Sequence, residues 1–494
     1  MTSTRPTLAN TLPAHQDQFY GGRWHETREG RIAQSLSPAN GSVVGPFSWG
    51  SAADVDLAVS AARAGFQHWS RVTPLERAKT MREVAAVIRA NSAELAYLDA
   101  ADGGNPVAEM TRDVSNAANQ WEFFAGLVTE LKGASIPMGP DAVNFSVREP
   151  MGVIARIVAF NHPFMFAAAK AAAPIAAGNS VIMKPPEQAP LSALRLAELI
   201  GNLLPDGVFN VLTGGADVGS ALTSHEEVAM VTLIGSVPTG RAVMKGASDS
   251  LKPILLELGG KNALVAFADA DPDEVAEAAI RGMNFTWCGQ SCGSTSRLFL
   301  HDHIHDAVVD RLKNHVRRFK PGVPTDPATT MGALVSEAQY RKTLDYIEIA
   351  KGDGATLLHG GKRPDGKELE KGFFVEPTIF VDVKQSMRIA KEEVFGPILS
   401  VLRWTDWASM IADVNSVEYG LTGSIWTNDI TLAHRTAAGI KSGFIWINEV
   451  SKHFLGTPFG GFKQSGIGRE ECLSELLAFT QEKNIHIRLK QAGA

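Results

Sequence analysis

The sequence predicts an α/β fold built on parallel sheets covered on both faces. From Gly152 onward, short β-like runs at 153–160, 181–184, 209–212, 231–234 and 254–258 alternate with helix-like stretches at 165–177, 191–204, 218–224 and 239–247. A second series of the same kind starts at 262–267 and runs through helical 303–320 and 338–351 to a strand-like 444–448. The 494 residues are too many for one core, so two or three domains are expected.

In chain order, turn signals at 19–24 (FYGGRW) and 37–42 (SPANGS) separate short apolar runs and predict strand hairpins. Ser51 is placed to cap a helix whose Val55, Val59, Ala62, Phe66 and Trp69 recur at helical spacing. Thr73-Pro74-Leu75-Glu76 fits a capping box with proline in the first turn. Gly103-Gly104 closes that helical stretch, and Val114, Ala117, Trp121, Phe124, Leu127 and Leu131 form the apolar stripe of another helix. At the end of the chain Ile485, Ile487 and Leu489 alternate with His486, Arg488 and Lys490, a half-buried strand that needs a partner sheet, plausibly one from another subunit.

Composition narrows the class. The chain is 45% hydrophobic and 20% charged with a net charge of −6, which argues against nucleic-acid or acidic-membrane partners. Cys288, Cys292 and Cys472 make no disulfide framework and suit a reducing compartment, so a cytoplasmic protein is expected. The first residues lack the apolar core of a signal peptide. The most apolar run, 163–178, is alanine-rich and interrupted by Lys170, too short and too weakly apolar to cross a bilayer. No metal-ligand pattern is read, and no metal is expected.

Residues with chemistry sit at the predicted strand ends. Cys292 stands among Gly289, Gln290, Ser291, Gly293, Ser294 and Thr295, where nothing bulky shields its sulfur and backbone N–H groups approach a developing negative charge. The alternative is a small buried apolar residue. Gly235-Ser236-Val237-Pro238-Thr239-Gly240 is a glycine turn between a strand and a helix that suits a phosphate, or is simply a turn. Lys184-Pro185-Pro186-Glu187 ends another strand, where a carboxylate accepts ribose hydroxyls. Glu257 precedes two glycines, Asn161 offers an amide to an oxyanion or a helix cap, and Glu393 lies two residues from Phe395.

The ordered set Asn161, KPPE, GSxxxG, ELGGK, GQxC, EEVFGP and PFGGFKQSGIGRE (458–470) resembles the NAD(P)-dependent aldehyde dehydrogenase superfamily over nearly the whole chain. The resemblance implies an aldehyde dehydrogenase-like fold. A Rossmann-type nucleotide-binding domain would comprise 1–128 and 148–257, an α/β catalytic domain 258–474, and a small β oligomerisation element 129–147 and 475–494. It also implies a homodimer or homotetramer acting on a small-molecule aldehyde. Carried over by residue, Cys292 is the nucleophile and Glu257 the general base, and Asn161 shares the oxyanion hole with the Cys292 N–H. Phe160, Lys184, Glu187, Gly235, Ser236, Gly240, Glu393 and Phe395 would bind NAD, with NADP as the alternative. Those residue types suit thiolate addition, hydride loss and thioester hydrolysis.

The chain departs from the family pattern where Ala159-Phe160 replaces the usual Pro-Trp and His162 the usual Phe; Cys288 is read as wall rather than chemistry. By motif alignment the substrate pocket is lined by His162, Ala169, Trp121, Thr286, Ser291, His453 and Phe459. It would be an opened, partly polar pocket for a bulky aldehyde, aromatic with a polar or anionic substituent. The two histidines merely packing on loops is the competing expectation. The rival functions are a CoA-acylating dehydrogenase, which generally lacks the Glu257 base, a catalytically silent NAD-binding member, and a cysteine hydrolase with His162 as its base.

Overall fold

The computed structural model describes residues 6–489. Five parallel strands form the middle of an eight-stranded sheet, in the order Phe209–Val211, Ser180–Lys184, Val153–Ile157, Val228–Ile234 and Ile254–Glu257. The hairpin Gln18–Tyr20 and Arg23–His25 closes one edge, and Gly466–Ile467 pairs antiparallel at the other. Both faces are packed. Helices Pro74–Ala90, Val107–Leu127 and Pro163–Ala176 cover one face, and Ala52–Trp69, Ala216–Ser224 and Val237–Ser248 the other. Thr73 and Glu76 make the expected capping box, and Ser51 makes another with Asp54.

The second series forms a seven-stranded sheet, parallel apart from its edge strand Thr356–His359, with a core of its own. Its middle three strands are Ile398–Trp404, Arg297–His301 and Ala263–Ala266. Three expected elements are shorter than their apolar runs. The first parallel strand stops at Ile157, helix 191–204 stops at Ile200, and the helix from Asp302 stops at His315 before a short 3₁₀ turn.

The tail differs more. Thr480–Arg488 pairs in register with Ala142–Pro150 of the same chain, which also holds Ser135–Ile136, in a three-stranded sheet. Its partner is therefore in cis, and the second subunit invoked from the sequence is not needed to satisfy the strand. Lys490 lies outside the described residues. Among the described residues no helix is long and apolar enough to cross a membrane, and no group of histidine, cysteine and carboxylate side chains is arranged to hold a metal.

Candidate active site

Glu257 is the last residue of its strand, at the inner edge of a cavity of about 670 Å³ that Cys292 also lines. Two glycines follow because nothing larger fits. A Cβ on Gly259 would meet the Glu393 carboxylate at 2.2 Å, and one on Gly260 the Cys292 carbonyl at 2.6 Å. Asn262 then pins the cysteine loop. Its Nδ2 donates to Cys292 O at 2.7 Å and Ser294 O at 3.0 Å, while its Oδ1 accepts from Thr422 N. Asn262 directly follows the ELGGK motif but was not singled out in the sequence. Only its neighbours' glycines hinted at a close approach.

The Cys292 thiol and the Glu257 carboxyl line the same cavity and perturb each other's protonation. Burial raises Glu257 to about 8, with the charge of Glu470 adding to it and the Cys292 thiol and Lys170 opposing. Burial and the adjacent Glu257 push the thiol well above its ordinary value. Glu257 Oε1 has no hydrogen-bond partner in the protein. Cys288 is neither nucleophile nor wall. Fully buried in the second core, it donates Sγ–H to Gly332 O at 3.0 Å, and burial raises its thiol.

Asn161 lies in the connection between strand Val153–Ile157 and helix Pro163–Ala176, buried, its carbonyl accepting from Asn105 Nδ2 at 2.9 Å. Its side-chain amide makes no protein hydrogen bond among the described residues. His162 follows at the head of the helix, and its Nδ1 meets Asp113 Oδ2 at 2.6 Å. Thr286, Ser291, His453 and Phe459 line the cavity with His162. Trp121 and Ala169 do not, which corrects their assignment as pocket walls. Both are buried in the first core, where Trp121 Nε1 donates to Ala168 O, and the cavity is faced instead by Gln120, Phe166 and Lys170 from the same two helices. Their helical phase is one residue away from the one expected. Met165, Trp287 and Trp446 add to the apolar lining, without signal in the motifs.

The candidate nucleotide residues fall along the carboxyl ends of the parallel strands. Lys184 is buried and lowered to about 8 by that burial, against the pull of Glu187 and Asp217. Glu187 is exposed, and a Cβ on Gly215 would meet its Oε2 at 3.0 Å beside Trp49. Ser236 caps helix Val237–Ser248 by accepting from Thr239 N. Gly240 has a packing reason, since a Cβ there would meet Leu258 at 2.7 Å. Glu393 accepts from Gly260 N at 2.8 Å, and burial raises its carboxyl. Phe160 and Phe395 sit edge to face, 5.7 Å apart. The carboxylate, the free helix N-terminus and the flat ring pair together fit a dinucleotide.

A strand-end carboxyl against a cysteine, at the carboxyl edge of a doubly covered parallel sheet, defines a covalent cysteine oxidoreductase of the kind the motifs resemble. The aldehyde dehydrogenase family model matches residues 24–485, and the chain belongs to that family. It is an aldehyde-oxidising oxidoreductase. The aldehyde dehydrogenase tropH of Talaromyces stipitatus is 51% identical over 99% of this chain and 96% of its own. A betaine aldehyde dehydrogenase of Mesorhizobium japonicum is 40% identical over 95% and 96%. The NAD+ complex of an aldehyde dehydrogenase from Bacillus cereus superposes with a TM-score of 0.95 at 35% identity, covering 99% of both chains.

Proposed function

We propose that this chain oxidises a bulky aldehyde to its carboxylic acid with NAD, through a thioester on Cys292. The observation that carries the reading is the Glu257 carboxyl and the Cys292 thiol together on the wall of one large cavity. Cys292 gives up its proton and adds to the carbonyl carbon. The Asn161 amide and the Cys292 N–H hold the oxyanion. NAD, when bound, supplies the hydride acceptor, held by Lys184 and Glu187 at one ribose and by Glu393 and Phe395 at the other. Glu257 then takes a proton from water, the water attacks the thioester, and the acid leaves. A CoA-acylating enzyme has no use for Glu257 in that place.

The exposed edge of strand Thr480–Arg488 supports a homo-oligomer, and three unpaired cysteines suit the cytoplasm. The experiment is NADH absorbance with a panel of aldehydes on the wild type and Cys292→Ala. Activity should vanish in the variant while NAD still binds. A benzaldehyde should beat acetaldehyde in kcat/KM; surviving activity, or a ratio below one, would sink the corresponding part of the reading.

A further inference from the structure

The cavity that holds Cys292 is rich in charge, yet that charge is almost entirely spent. Arg112 pairs with Glu109 at 2.7 Å, Arg281 with Glu449 at 2.6 Å, Lys452 with the same Glu449 at 3.4 Å, and Lys170 with Glu470 at 2.9 Å. The remaining carboxylates of the wall hold histidines, Asp113 with His162 and Glu471 with His453 at 3.2 Å. Among the described residues each of these cations has a carboxylate partner, with Arg281 and Lys452 sharing Glu449. Apart from Glu257, every carboxylate of the wall has a basic or imidazole partner. A charged substrate tail entering here would meet side chains that already have partners, one of those pairs, Lys170–Glu470, being buried.

What remains is neutral hydrogen bonding between flat rings. A carboxylate only accepts, so the Nδ1 of His162 donates to Asp113, which leaves Nε2 free for a further hydrogen bond. Nε2 has no partner among the described residues. The ring is braced by Phe166 at 5.3 Å and Trp287 at 5.4 Å, and its side chain is only 15% exposed. His453 is built alike, against Phe459 at 4.6 Å, but stands 41% exposed. Its exposure makes His453 the outer station and His162 the inner one. From this geometry we infer that His162, oriented by Asp113, is a specificity-determining residue whose Nε2 hydrogen-bonds a hydroxyl on an aromatic aldehyde. The substrate class is thus a neutral hydroxyaryl aldehyde rather than an anionic or quaternary-ammonium one. The inference rests on the aldehyde-oxidising reading above and narrows its substrate.

The test compares kcat/KM for 3- and 4-hydroxybenzaldehyde, benzaldehyde, 4-formylbenzoate and betaine aldehyde, in the wild type, His162→Phe and His162→Gln. The better hydroxybenzaldehyde should exceed benzaldehyde by about tenfold in the wild type, the worth of one hydrogen bond. The ratio should fall to near one in His162→Phe, which keeps the flat ring. It should be partly kept in His162→Gln, whose amide reaches the place of Nε2. Because an orphaned Asp113 threatens the fold of either variant, phenol and toluene are also compared as protectants of Cys292 against iodoacetamide in the unaltered enzyme; phenol should protect better. A ratio that survives His162→Phe, preference for formylbenzoate or betaine aldehyde, or equal protection by phenol and toluene would overturn the inference. Absence of NADH from every aldehyde would refute the oxidation reading instead, and the protection experiment then decides the hydroxyl station alone.

Discussion

Replacing Glu257 by Gln separates what the carboxyl costs the fold from what it does in the reaction. Burial lifts Glu257 from its ordinary 4.5 to about 8, so the folded chain keeps a proton that the unfolded chain releases above pH 4.5. Folding stability is lost progressively as pH rises from about 4.5 to about 8 and levels off beyond. Between pH 6 and pH 8 this group alone removes about 3 kcal/mol, two units at about 1.4 kcal/mol each. Gln occupies nearly the same volume and does not titrate, so the urea stability of Glu257→Gln should gain on the wild type by about that much across the interval. The same variant should keep a pre-steady-state burst of NADH and lose steady turnover, because the base acts on the water of the second half-reaction. Wild-type turnover should rise through about pH 8 as the base ionises. A stability gap that stays flat from pH 6 to pH 8 would refute the burial argument; loss of the burst would move the role of Glu257 to activating the thiol.

Asn161→Ala should lower kcat by about 10²–10³ with little change in NAD affinity, as expected for one lost oxyanion donor; a loss under tenfold would remove it from the hole. Asn262→Ala frees the carbonyls of Cys292 and Ser294, so iodoacetamide labelling of Cys292 should change rate even though Asn262 touches no substrate; unchanged labelling and kcat would show that the loop holds itself. NAD should be used more efficiently than NADP, because Glu187 meets the 2′-phosphate with like charge, and Glu187→Gln should narrow the gap. Comparable efficiencies in the wild type would end that argument.

Much of this was legible because strand ends announce themselves. An apolar run closed by Glu257-Leu-Gly-Gly or Lys184-Pro-Pro places the last polar side chain at the carboxyl edge of a parallel sheet, where such folds hold ligands. Helical phase was less legible. Trp121 and Gln120 are adjacent on one amphipathic helix, and which of them faces a cavity depends on what packs opposite, here Ala168 and its neighbours. The tail's cis partner was legible only through the resemblance, which groups 129–147 with 475–494; period-two alternation by itself reports one buried face but not which strand lies alongside. The role of Asp113 was hidden. It is a lone carboxylate on the buried face of a helix whose apolar stripe drew attention, and it matters because His162 comes within 2.6 Å of it from 49 residues further on.

Lys170 was the one loud signal the motifs did not use. A lone cation in an alanine-rich helix cannot be buried unpaired, so its presence demanded a carboxylate from elsewhere. The partner is Glu470, at the end of the last motif, which also meets Arg156 at 3.2 Å, while Glu475 takes the other arm of Arg156 at 2.8 Å. All four side chains are fully or almost fully buried. They tie strand Val153–Ile157 and helix Pro163–Ala176 to the segment that leads into the terminal strand. Losing one member of such a cluster leaves an uncompensated buried charge, at a cost of about 3–5 kcal/mol. The same charges reach Glu257, raised by Glu470 and lowered by Lys170. The cluster that anchors the tail therefore also sets the electrostatics of the proposed base, so changes to the tail will register in the pH dependence of turnover as well as in stability.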